Sequence, residues 1–255
     1  MIDTHAHLAE RFATDTKRII VESKGAGVKA IILSASSMTD SEDNLRIAKD
    51  YPNFLYPSVG VHPQEKEINI EKMEGWLSTE KNIVAVGECG LEFFGDHNTL
   101  LQEEIFREQI DLSVKYGKPL IVHSREAVDK TIDILGEYPK AFGVIHCYTG
   151  GKKRIKRILE LGEWYMGIDW NLTYEVGLEQ VVEEIPKNRL LLETDAPFLS
   201  PVPFRGQGNQ PAYIEYVYEK VAQIWEMDFE ETEKIIDQNA RRLFGFNGIA
   251  SLCSQ

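Results

Sequence analysis

Two histidines one residue apart, His5 and His7 in the run Asp3-Thr4-His5-Ala6-His7, close the first apolar segment of the chain. Successive side chains of a strand alternate faces, so both imidazoles point the same way from Cα atoms about 6.6 Å apart. Rings so placed can converge on one cation. Chance His-x-His pairs are common, and two hydrogen-bonded structural histidines are the competing reading of this spacing. Five further ionisable residues change the balance: His62, Glu88, His123, His146 and Asp195 each end or follow a short apolar run. His5, His7, His123 and His146 with Glu88 and Asp195 form a nitrogen and carboxylate donor set too rich for one tetrahedral metal. It suits two cations bridged by an acid. Glu88, central in chain order, is the natural bridge between ions roughly 3.5–4 Å apart. A buried acid without such partners would be protonated or strongly destabilising, and residues 83–93 contain no Lys or Arg to balance it.

Apolar, β-rich runs at 2–5, 30–34, 55–61, 83–88, 120–123, 143–147, 165–169 and 190–193 read as strands. Amphipathic stretches at 15–24, 41–50, 100–116, 127–136, 153–161 and 177–185 read as helices between them, and 215–225 and 229–243 as two closing helices before a short tail expected to fray. Eight strands with interleaved helices predict an α/β protein, a closed (β/α)8 TIM barrel, a fold of about 250 residues that the 255 here match. A doubly wound sheet is the rival, but no Gly-rich phosphate turn follows the first strand. No linker or composition break divides the chain, so residues 1–255 are expected to form one domain. On this reading five of the six histidines, His97 excepted, fall at the C-terminal ends of strands, the rim where barrels assemble their sites.

The net charge of −13 speaks against bulk attraction to nucleic acid, so any affinity for phosphate must be local. Lys152, Lys153, Arg154, Lys156 and Arg157 make the one concentrated basic run, either a phosphate-contacting edge or a solvated helix face. Arg125, two residues past His123, and Arg205, in the segment PFRGQGN, are candidates to bind phosphate by paired hydrogen bonds; surface salt bridges are the alternative. Phe93, Phe94, Tyr148, Trp170 and Phe198 lie near the expected rim, where aromatics stack on bases or pack the core. Cys89, Cys147 and Cys253 include no C-x-x-C pair, which argues against a disulfide framework, a disulfide-linked partner and a thiolate zinc site. No export signal and no run of about 20 apolar residues is visible, so a cytoplasmic protein, monomeric by default and not in a membrane, is expected.

DTHAHL, GVHP, GECGLEFF, PLIVHSREA, HCYTG, LETDAPFLSP and RGQGNQPAY, followed by QNARRLF, resemble in order the motifs of the TatD-related metal-dependent deoxyribonucleases. That family belongs to the amidohydrolase-type metallo-dependent hydrolases, so the resemblance implies a TIM barrel. It also implies that His5 and His7 hold one metal with Glu88 and Asp195, that Glu88, His123 and His146 hold a second, and that Asp195 orients or deprotonates the attacking water. His62 matches a substrate-contacting position of the family, with a structural role as the alternative. Glu92 stands where the family commonly has Asp, and Gln210 where it has Glu; neither is an expected ligand. The expected function is metal-dependent phosphodiester hydrolysis of DNA, acting on ends or single strands, with two divalent cations drawn from Zn²⁺, Mg²⁺ and Mn²⁺. Hydrolysis of an ester or amide, such as deacylation of an aminoacyl-tRNA, would use the same metals. A non-catalytic metal-binding module is the third reading.

Overall fold

Runs such as Ala30-Ile31-Ile32-Leu33 and Leu190-Leu191-Leu192 are apolar at every position, the mark of strands covered on both faces. The computed structural model describes residues 1–13, 15–95 and 98–246. In it the strands are β1 (Ile2–Ala6), β2 (Ala30–Leu33), β3 (Leu55–Val59), β4 (Ala85–Glu92), β5 (Leu120–Arg125), β6 (Gly143–Ile145), β7 (Trp164–Ile168) and β8 (Leu190–Leu192). The helices are α1 (Thr16–Gly25), α2 (Met38–Asp50), α3 (Ile70–Thr79), α4 (Thr99–Tyr116), α5 (Val128–Gly136), α6 (Lys152–Glu160), α7 (Leu178–Glu184), α8 (Ile214–Trp225) and α9 (Phe229–Phe244). The strands pair in parallel in sequence order from β1 to β8. The ends of β1 and β8 then meet through Asp195 N to His5 O at 2.9 Å and His7 N to Ala196 O at 2.7 Å. The result is a (β/α)8 TIM barrel.

Alternation sorts the strand side chains into two layers. Ile2, Ile32, Ile121, Val144, Tyr165 and Leu191 fill the barrel, and Ala240, Leu243 and Phe244 of α9 pack against them to seal the N-terminal end. Their sequence neighbours Ile31, Leu33, Leu120, Val122, Leu190 and Leu192 belong to the outer layer under the helices. The closed bottom leaves the strands' C-terminal ends as the open mouth.

Several boundaries differ from the sequence reading. β4 and β5 run on to Glu92 and Arg125, so Glu88 and His123 lie inside strands rather than at their ends. β6 stops at Ile145, leaving His146 on a loop, and β8 stops at Leu192, with Asp195 beyond it as expected. α2 starts three residues before the expected position because Ser37 caps it, accepting from Asp40 N at 3.1 Å. α3 was not expected at all. It buries only Met73 and Leu77 and carries Gly75 midway, so its helical period is weak in sequence. His97, Cys253 and the expected tail after Phe246 fall outside the described residues.

Gly90 shows how tightly β4 and β5 are apposed. Its φ is +137°, and a Cβ there would lie 2.0 Å from the His123 carbonyl oxygen. Gly90→Ala is expected to cost about 3 kcal/mol and to lower the melting temperature by about 6–12 °C. An unchanged thermal melt would show that the strands part there without penalty.

Candidate metal centre

The inward parity that fills the barrel leads directly to the ionisable residues. His123 comes two residues after inward Ile121, His146 two after Val144, and Glu193 and Asp195 two and four after Leu191. His62 continues the inward line through Ser58 and Gly60. Two irregularities add the rest. Asp3 pairs with Ile31 but Ala6 with Leu33, so one extra residue sits in β1 and reverses the parity set by Ile2, turning His5 and His7 inward. Gly87 pairs with Ile121 but Cys89 with Val122, which makes Glu88 the extra residue of β4 and swings it into the barrel. Glu88 N is held by Ala35 O at 2.7 Å.

The two Glu88 oxygens face different groups. Oε2 lies 3.5 Å from His5 Nε2 and 3.6 Å from His7 Nε2, and Asp195 Oδ1 lies 3.5 and 3.4 Å from the same nitrogens. The nitrogens themselves are 3.1 Å apart. Oε1 lies 2.9 Å from both His123 Nδ1 and His146 Nε2, which are 3.1 Å from each other. Donors about 2.0–2.1 Å from one tetrahedral cation stand about 3.3 Å apart, so both groups have the spacing of a ligand shell. His62 Nε2, 3.6 Å from Glu88 Oε1, borders the second group.

Outer partners set the direction of the lone pairs. His7 Nδ1 lies 3.1 Å from the Ser34 carbonyl, which can only accept, so Nδ1 carries the proton and Nε2 turns its lone pair to the centre. His123 Nε2 faces Glu92 Oε2 at 3.3 Å, leaving Nδ1 for the centre. His146 Nδ1 lies 3.4 Å from Glu193 Oε1. Asp3 accepts from Thr194 Oγ1 at 2.6 Å and from His5 N at 3.2 Å, tying β1 to the strand that delivers Asp195.

Burial opposes charge throughout this cluster, and the neighbours decide each outcome. Glu88 is held well below the usual carboxylate range because His146, His62 and His123 outweigh burial. Burial likewise opposes ionisation of Asp195, but His7 and His5 keep its carboxyl below the ordinary value. Burial pushes His62 down to about 3, leaving it neutral. His146 is burdened by burial but raised well above 6.5 by Glu88 and Glu193.

The mouth is a cavity of about 380 Å³ whose lining includes His62, Glu88, His123, His146, Asp195 and Arg125. Arg205 is not part of it: its guanidinium stacks over Tyr174 at 3.6 Å. The basic run of α6 is a solvated, ion-paired face, with Arg154 on Asp129, Arg157 on Asp129 and Asp133, and Lys152 on Glu184. Tyr148 and Trp170 are buried, Phe93 is partly buried against the core, and Phe94 and Phe198 are exposed. Cys89 and Cys147 are free, and burial pushes the Cys147 thiol well above its ordinary value.

Glu193 is the residue sequence reasoning passed over. It is fully buried, takes the Cys147 amide at 2.6 Å, and fits because Gly167 offers no side chain; a Cβ there would come within 2.5 Å of Glu193 Oε2. Its signal was parity: it sits inward, two residues after Leu191 and two before Asp195. Glu193→Gln is expected to weaken metal binding 10- to 100-fold, read by competition with a chromophoric chelator. Unaltered affinity would reduce Glu193 to a packing role.

Comparison with known proteins places this architecture. Residues 2–245 match the family described as TatD related DNase. Relatives include the uncharacterized metal-dependent hydrolase YabD of Bacillus subtilis (strain 168), 36% identical over 97% of this chain and 100% of its own. Another is a protein named 3'-5' ssDNA/RNA exonuclease TatD from Edwardsiella piscicida, 32% identical over 96% of this chain and 99% of its own. The crystal structure of YjjV, a TatD homolog from Escherichia coli K12, superposes with a TM-score of 0.90 at 29% identity, covering 97% of this chain and 98% of that one. With the match running from β1 to the end of α9, the chain belongs to the TatD-related DNase family and is a metal-dependent hydrolase of that kind.

Proposed function

We propose that this protein hydrolyses phosphodiester bonds at the ends of DNA or in single strands, using two divalent cations of the Zn²⁺, Mg²⁺ or Mn²⁺ kind. The observation that carries the reading is the divided Glu88 carboxylate, one oxygen toward His5, His7 and Asp195 and the other toward His123 and His146. His5, His7, Glu88 and Asp195 would hold one ion, and Glu88, His123 and His146 the other. Cations bound there would acidify a water and neutralise charge growing on the phosphoryl oxygens. Asp195, ionised and at the cavity wall, accepts the proton of the attacking water. Neutral His62 contacts the substrate, and Arg125 offers its guanidinium to a flanking phosphate. A rim cavity in a chain of net charge −13 suits a strand end better than a wrapped duplex. The nuclease names borne by relatives support this substrate class, and the reading carries with it a cytoplasmic monomer built as one hydrolase domain.

The test is cleavage of end-labelled single-stranded DNA after chelation and re-addition of each metal, beside a nitrophenyl acetate. Chelation is expected to abolish trimming and one of the metals to restore it. Hydrolysis of the acetate alone would instead assign an ester or amide substrate. Glu88 and Glu193 hold His146 well above 6.5, and Glu88 and Glu92 raise His123, both against burial, so protons compete with metal for these nitrogens. Metal uptake displaces the protons, so affinity rises with pH and falls on acidification. Calorimetric titration in two buffers of different ionisation enthalpy measures the protons released.

A further inference from the structure

Phe198 lines the mouth cavity with 45% of its surface exposed, beside a second aromatic of the same lining, Phe12. The Phe198 ring is exposed but its backbone is fixed. Phe198 N donates to Asp195 O at 3.0 Å, and Phe198 O accepts from the Asn209 side-chain amide at 2.8 Å. Phe12 meets it edge to face at 5.7 Å, and both rings lie against His7, at 5.1 and 5.5 Å. Arg11 covers Phe12 at 4.5 Å and is pinned there by a 2.5 Å hydrogen bond to buried Asp40. One wall of the cavity is therefore a preformed aromatic corner beside the first donor group. The opposite side carries Arg125, stacked over exposed Phe94 at 4.1 Å. A volume of about 380 Å³ is at the small end for ligand sites and suits one nucleotide rather than several.

We propose that Phe198 and Phe12 form a stacking wall for the terminal nucleobase of the substrate strand. This assignment rests on the phosphodiesterase reading above and deepens it. With the cleaved phosphate at the Glu88 centre, the terminal base lies on the Phe198 ring, and the rest of the strand leaves over Arg125 and Phe94. Stacking tolerates every base, so the wall selects for the presence of a base and not for its identity. In an acidic protein it supplies affinity that bulk charge does not.

The test uses a short single strand ending in 2-aminopurine, whose fluorescence falls on stacking, and a twin whose terminal residue lacks a base. Each is mixed with Mn²⁺-loaded wild-type protein, Phe198→Ala and Phe198→Trp, reading the binding phase and then cleavage. Wild type is expected to quench the probe and to show a KM about tenfold lower for the base-bearing strand. Phe198→Ala should lose the quench and raise that KM to the value of the baseless twin, and Phe198→Trp should restore both. No quench in wild type, or an equal rise in KM for both strands in Phe198→Ala, overturns the wall. Quenching that depends on Phe198 without cleavage of either strand would leave the wall standing and remove the phosphodiesterase reading.

Discussion

If the proposed two-cation phosphodiesterase reading holds, Glu88→Ala is expected to lower activity by more than about 10³-fold and to reduce bound metal from about two ions per chain to well under one. The reason is geometric. Among the described residues Glu88 is the one carboxylate within 3.6 Å of His5, His7, His123 and His146 together, so both donor groups lose a member when it is cut back. His5 and His7 would keep Asp195, but His123 and His146 would face each other with no carboxylate oxygen between them. Metal analysis and steady-state kinetics on protein with unchanged circular dichroism check this. A variant that retained two ions and ordinary turnover would show that Glu88 is not the bridge.

Asp195→Asn is expected to behave differently, and the contrast is informative. The amide keeps the shape of the side chain and an oxygen beside His5 and His7, so metal content should fall little. On the proposed mechanism the group that takes the water proton is lost, and kcat should drop by about 10³-fold with KM nearly unchanged. Asp195 is prepared for that role by its surroundings: its backbone adopts φ +53° while its amide bonds to His5 O, and His7 and His5 hold it ionised. An Asn variant with near wild-type kcat would move the base to another residue. Loss of metal parallel to loss of rate would make Asp195 a ligand and nothing more.

Much of this molecule was legible in the amino-acid order. The alternation of apolar strands with amphipathic helices specified the barrel, because a strand buried on both faces and a helix with one apolar stripe have few ways to cover each other. The types and positions of His5, His7, His62, Glu88, His123, His146 and Asp195 pointed to one rim, because parallel strands in sequence order bring all their C-terminal ends to the same side.

Which face each side chain would take was not local information. In a regular β1, Ile2 inside would send His5 and His7 outside, and in a regular β4, inward Gly87 would send Glu88 outside. The extra residues at these two places are set by pairing with β2 and β5, whose hydrogen bonds fix the register from across the sheet. The same distant pairing requires Gly90 to pass the His123 carbonyl and makes room for Glu193 opposite Gly167. Arg125 and Arg205 were both phosphate-binding candidates in sequence; the end of β5 put one on the cavity, and loop packing put the other on Tyr174. The residue types determined the chemistry available to this protein. The tertiary structure decided which of those groups meet, because register and side-chain contact depend on partners far away along the chain.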